Sequence, residues 1–191
     1  MDVRLRSADL ATIWPQALAW PDYLASDEDK AQAWTRTAET ITLTTPQRAL
    51  LAGFTRQIRV LMVSGIWCGD CVRQGPIAQA IAEAAPGVEL RFIDRDHPAS
   101  PIGAMRINDG ERVPVTLFMA EDFEPVQLLG DRTLQYYRHM AAQQIGAACP
   151  VPGAGLPEDV QNGVIQDWID ATERVHLLLR LSNRLRQRHG D

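Results

Sequence analysis

The alternation of apolar and polar positions changes character along the chain and divides it into three parts. Up to about residue 50, polar and apolar residues mix in the manner of short helices. "SADLATIWPQALAW" reads as a helix with a candidate cap at Ser7 and an interruption at Pro15. "SDEDKAQAWTRTAET" opens on Ser26 and a run of acids, which suits a helix N-terminus, and "TPQRALLAGF" carries Pro46 just inside a further start. The pattern then shortens. "IRVLMVSG" is a brief apolar run rich in β-branched residues, as a buried strand requires, and "VELRFID" is a second. Between them, Asp70 to Ala85 reads as a helix with Ile77 and Ile81 at i, i+4 and Pro76 in its interior. "PIGAMRI" suggests a short helix, "PVTLFMA" and "EPVQLLG" a hairpin across "EDF", and "RTLQYYRHMAAQQIG" another helix. Strands alternating with helices and ending in a hairpin predict an α/β fold, a sheet covered by helices on both faces.

The third part follows the Pro/Gly-rich "CPVPGAGLPE". A long helix is expected from about Glu158 to Arg188, with Val160, Val164, Trp168, Ala171, Val175 and Leu178 on one face. Its acids lie in the first half and its arginines in the second, complementing the helix dipole. The expected organisation is a helical extension over 1–49, a core over 50–147, and a linker and long helix over 148–191 packed on that core.

Composition narrows the possible partners. The 191 residues are 46% hydrophobic and 23% charged, an ordinary globular balance, and the formal net charge of −5 gives no general attraction to nucleic acid or an anionic membrane. Arg180, Arg184, Arg186 and Arg188 read as a solvated helix end, because no aromatic residues interleave them. No apolar run approaches the roughly 20 residues that span a bilayer. The N-terminus lacks the apolar core of a secretory signal, so a cytoplasmic location is expected, where thiols stay reduced. Trp14, Trp20, Trp34 and Trp168 fall on expected helices and are assigned to packing. His97, in "DRDHP", reads as a turn residue.

Two of the three cysteines lie in "GIWCGDC", residues 65–71, and Cys149 stands far from both. Cys68 follows a strand and a turn, and Cys71 falls in the first turn of a helix. Free backbone N–H groups and the positive end of the helix dipole stabilise a thiolate there. Gly69 permits a tight turn, and the two-residue spacing lets the sulfurs meet, so the pair can exchange a disulfide with a substrate. Two other readings stay open: buried structural cysteines, or half of a zinc site, whose remaining ligands would come from the scattered Cys149, His97, His139, His176 and His189.

The motif resembles the thioredoxin superfamily beyond its cysteine spacing. Trp67 precedes Cys68 as in the family's WCxxC, and Pro76 occupies its helix-kinking position. Val113-Pro114 looks like its cis-proline site, and Gly130 fits the glycine after its last strand. The resemblance covers about residues 50–147. It implies a thioredoxin-like mixed sheet and a thiol–disulfide oxidoreductase that reduces protein disulfides. In that role Cys68 attacks, Cys71 resolves the mixed disulfide, and Trp67, Val113 and Pro114 contact an extended substrate segment. A separate reductase would supply electrons, with no bound cofactor or metal and no nucleic-acid or membrane partner. The rival function is a peptide-binding module on the same groove with idle cysteines. Peroxide reduction is weaker still, since the Pro and Thr that precede the reactive cysteine in such peroxidases are missing. Three departures stand out. Asp70 replaces the family's usual proline between the cysteines, and its carboxylate is expected beside Cys68, where it disfavours the thiolate. Met62 occupies the place of a buried aspartate that takes the proton of the resolving cysteine, leaving Asp70 as a candidate for that role. Val115 follows Pro114 where the family usually has Thr.

Overall fold

The computed structural model describes residues 5–145 and 157–191. It opens with α1 (Ser7–Ile13), α2 (Trp20–Ala25), α3 (Glu28–Thr40) and α4 (Thr45–Ala52). Pro15 does interrupt the first expected helix: Trp14–Gln16 is a 3-10 turn, and α2 starts afresh with Pro21 in its first turn. Ser7 is not a cap, because its hydroxyl donates instead to Glu124 at 2.8 Å. Asp27, rather than Ser26, caps α3, its carboxylate accepting from the Lys30 N–H at 3.1 Å. Thr44 and Gln47 cap α4 reciprocally.

The sheet consists of β1 (Ile58–Ser64), β2 (Val88–Asp94), β3 (Val115–Ala120) and β4 (Pro125–Leu129), in the order β2-β1-β3-β4. β1 and β2 run parallel, and the crossover between them is α5 (Gly69–Ala84). β3 is antiparallel to both β1 and β4, which gives the expected hairpin and the mixed sheet. Side chains alternate across the pleat. Val60, Leu90 and Phe118 share one face with Ala78 and Ile81 of α5 and with Trp168. On the other face the Arg59 guanidinium lies over the rings of Trp14 and Phe123. Helices therefore cover both sides of an apolar sheet, as its continuous hydrophobic strands require.

After the hairpin come α6 (Leu134–Ile145), α7 (Glu158–Leu181) and α8 (Asn183–His189). Two expectations need correction. "PIGAMRI" forms only a 3-10 turn, Ile102–Ala104, with Ile102 and Met105 buried on either side of Gly103. The final helix breaks at Ser182, whose extended backbone separates α7 from α8 and lets Leu185 turn inward. The packed face of α7 keeps Val164, Trp168, Ala171 and Val175 but ends on Leu179, while Leu178 is 42% exposed. A helix of 3.6 residues per turn drifts from the assumed spacing over that length. Cys149 and most of the Pro/Gly-rich segment lie outside the described residues.

Both ends of the chain grip α5. Trp34 of α3 is fully buried over Gly75, where an added Cβ would come within 2.1 Å of the indole. Its N–H donates to the Ile66 carbonyl at 2.9 Å. From the other side, Trp168 of α7 donates to the Gln74 side chain at 3.3 Å, and Gln74 donates to the Asp131 carbonyl at 2.6 Å. A buried Gln satisfied at both ends fixes α5 in register with its neighbours.

Candidate active site

β1 delivers the chain to a tight turn at its C-terminal end. The Cys68 N–H bonds to the Gly65 carbonyl at 2.9 Å, and the Cys68 carbonyl accepts the first helical bond from Val72 at 2.9 Å. Cys68 is thus the N-cap of α5, and Cys71 sits one turn further in. Gly65 leaves room for a neighbouring side chain: a Cβ there would lie 2.7 Å from the folded-back Trp67 indole. That indole is 50% exposed, with the Arg95 guanidinium 4.9 Å from its centroid. Glycine here is a matter of space for a ring.

The two thiols are free and sharply unlike. Cys68 is partly exposed, whereas Cys71 is completely buried. The Cys71 thiol hydrogen-bonds to the Cys68 sulfur, and the backbone N–H groups of Cys71 and Asp70 point the same way. Together they outweigh burial and bring the Cys68 pKa down to about 6. Burial pushes the Cys71 thiol up, and its bond to Cys68 pushes it further. Cys68 Sγ also lies 3.5 Å from the Val113 carbonyl, and the Val113–Pro114 peptide is cis. Trp67, Cys68, Val113 and Pro114 are therefore brought together beyond the ends of the two central strands, after β1 and before β3.

Asp70 does not stand between the sulfurs. One carboxylate oxygen accepts from the Tyr136 hydroxyl at 2.8 Å and from Arg73 at 3.2 Å, and the other from Arg132 at 2.5 Å. Its repulsion of the Cys68 thiolate raises that pKa less than the Cys71 thiol and the backbone N–H groups lower it, and the carboxylate itself is paired with two guanidinium groups. The network continues through Arg132 to Asp131, which also accepts from Tyr137 at 2.5 Å and Arg112 at 3.1 Å. Burial works against the Asp131 charge, but Tyr137, Arg112 and Arg132 outweigh it and hold the carboxyl below its usual range. Burial and the nearby Asp70 carboxylate raise the Tyr136 phenol to about 12, so it stays a donor. Because Arg112 immediately precedes Val113, these ion pairs tie the start of α5 to the cis-proline loop and the start of α6.

Met62 is fully buried in the expected place, so no carboxylate occupies that position behind Cys71. Sequence reasoning missed Arg132, Tyr136 and Ser64. The first two are more than sixty residues from Asp70 and left no local signal. Ser64 did leave one, a polar residue closing the otherwise apolar run "IRVLMVS". The histidines are engaged elsewhere: His176 stacks on Phe54 and accepts from the Thr55 N–H, and His97 accepts from the Ala99 N–H in its turn. Among the described residues no three His, Cys, Asp or Glu side chains converge as metal ligands would.

A mixed sheet of this order, a dithiol on the first turn of the crossover helix and a cis-proline facing it define a thioredoxin-like α/β protein. The chain belongs to the thioredoxin family, whose model matches residues 17–144. The match begins inside the expected N-terminal extension and takes in α2, α3 and α4. Two solved structures share the fold. One is a protein of unknown function from Pseudomonas aeruginosa, with a TM-score of 0.63 and 18% identity, covering 85% of this chain and 96% of that one. The other is an HIV epitope-scaffold, with a TM-score of 0.62 and 17% identity at the same coverages of 85% and 96%. No curated protein matches the chain. Among the described residues no helix is long and apolar enough to cross a membrane.

Proposed function

We propose that the protein is a thiol–disulfide oxidoreductase that reduces protein disulfides through Cys68 and Cys71. The observation that carries this reading is the asymmetry of the pair: a partly exposed sulfur with its pKa near 6 beside a buried one held as a thiol. The Cys68 thiolate attacks a substrate disulfide, and one substrate sulfur leaves as a thiol. Cys71 then attacks Cys68, the mixed disulfide breaks, and the second substrate sulfur departs. The protein is left with a Cys68–Cys71 disulfide, and two electrons from a separate reductase restore the dithiol. Trp67 supplies an apolar wall, and the backbone at Val113 and Pro114 receives an extended substrate segment as an added strand. Asp70 acts as an anchor for α5 and α6 through its ion pairs, and a reducing compartment such as the cytoplasm suits a dithiol resting state.

The test is reduction of a disulfide-bonded protein with dithiothreitol as electron source. Cys68→Ser should abolish turnover, and Cys71→Ser should accumulate a covalent mixed disulfide with the substrate. A Cys68→Ser variant that still retains its partners, with a wild-type protein that reduces nothing, would instead establish a binding module.

A further inference from the structure

Resolution of the mixed disulfide demands that Cys71, the most buried sulfur in the site, give up its proton. While Cys68 is free, its sulfur accepts from the Cys71 thiol. Once Cys68 is bonded to substrate, that charged acceptor is gone, and Met62 offers no replacement. Two hydroxyls do. Ser64, at the end of β1, is fully buried, and its Oγ makes no hydrogen bond of full geometry. Tyr23 of α2 is 1% exposed, and its Oη is likewise without one. Orphaned hydroxyls are costly in an apolar core, so two in one place call for a reason.

Their placement supplies it. Tyr23 is stacked flat on Phe92 at 4.9 Å and edge-on to Trp34 at 5.4 Å, and its hydroxyl is shut off from water. Phe92 pairs with Met62, and two positions on Ser64 pairs with Asp94, so Tyr23 spans the edge beside Ser64. Ser64 acts on both Tyr23 and Cys71, and the Gly65 N–H also faces the Cys71 sulfur. We propose that Ser64 and Tyr23 form a hydroxyl chain that stabilises the Cys71 thiolate during resolution, Tyr23 Oη donating to Ser64 Oγ and Ser64 Oγ donating to Cys71 Sγ.

This rests on the dithiol reading above. In the step, Cys71 Sγ bonds to Cys68 Sγ, the Cys68–substrate bond breaks, and its electron pair goes to the substrate sulfur. The proton lost by Cys71 ends on that departing sulfur, and the hydroxyls keep their own protons. Ser64 touches the reacting atom; Tyr23 acts through it and is a positioning residue. The titratable groups around Cys71 are Cys68 on its own helix and Tyr23 from α2, with Asp94 of β2 acting on Tyr23. Asp70 is engaged by Arg132, Arg73 and Tyr136.

The experiment follows the two-phase release of 5-thio-2-nitrobenzoate when its symmetric disulfide reacts with the reduced protein, in a Cys149→Ser background. The first phase reports Cys68 attack and the second Cys71 resolution. Removing one donor to a thiolate should slow the second phase about tenfold at pH 7 in Ser64→Ala and move its pH midpoint up about one unit. Tyr23→Phe should shift the midpoint the same way by less, Ser64→Thr should restore resolution, and the first phase should keep its rate throughout. Unchanged second-phase pH profiles in Ser64→Ala and Tyr23→Phe would overturn the proposal alone. A wild-type protein that shows no second phase would overturn the oxidoreductase reading, and the hydroxyl chain with it.

Discussion

Replacing Cys71 by Ala removes the largest influence on Cys68. Three donors hold the Cys68 thiolate: the Cys71 thiol first, then the N–H groups of Cys71 and Asp70. Only the first is a side chain, so Cys71→Ala deletes it and leaves the backbone donors in place. A hydrogen bond to a charged group is worth about 1.5–3 kcal/mol, or roughly one to two pKa units. With the Cys68 pKa at about 6, the variant should therefore titrate at roughly 7–8. At pH 6 about half of wild-type Cys68 is thiolate, against roughly one-tenth to one-hundredth in the variant, so alkylation there should slow about five- to fiftyfold. The assay is the pH dependence of iodoacetamide labelling, with the Cys68 peptide quantified by mass spectrometry so that Cys149 does not contribute. Cys71→Ser keeps a hydroxyl donor and should fall between the two. A Cys71→Ala midpoint that stays at the wild-type value would refute the reasoning and assign the shift to the helix N-terminus alone.

Three further outcomes follow from the same geometry. Asp70→Asn leaves Arg132 and Arg73 without their shared carboxylate and should cost about 2 kcal/mol in urea unfolding, discounted from a fully buried pair. It should lower the Cys68 pKa by less than about half a unit, because that carboxylate is already offset; unchanged stability, or a larger fall in the Cys68 pKa, would count against the anchoring role. Gly75→Ala drives a methyl into the Trp34 ring and should destabilise by about 3 kcal/mol, whereas a Tm equal to wild type would show that α3 can lift away from α5. The reduced protein should also gain stability over Cys68→Ser as pH rises. A folded pKa of about 6 lies below the unfolded thiol value, so the gain is fully present above the unfolded value and vanishes as pH falls through 6. A difference between the two proteins that is flat with pH would contradict it.

What could be read from residues alone was whatever is local. The change from helical to short apolar periodicity marks "IRVLMVSG" and "VELRFID" because a buried strand is apolar on both faces. The dithiol and its preceding Trp67 are contiguous, and the cis bond at Val113-Pro114 is legible only through the family resemblance. Pairings across the fold were out of reach. Asp70 looks in sequence like a charge beside Cys68, yet Arg132, just before α6, and Tyr136, within it, bind its carboxylate. Ser182 gives no Gly or Pro warning of the break between α7 and α8, which is decided by Leu185 reaching the core. Tyr23 joins the site only because α2 packs beside β2, a tertiary outcome that no spacing encodes.

The grip of Trp34 and Trp168 on α5 sets an order of events during synthesis. The "GIWCGDC" segment leaves the ribosome long before Trp168 does, and until then Gln74 lacks its partner from α7. The reactive sulfur is thus made early and housed late. The groups that activate Cys68 all lie within three residues of it, whereas the packing that holds α5 from behind is complete only once α7 has closed on Gln74.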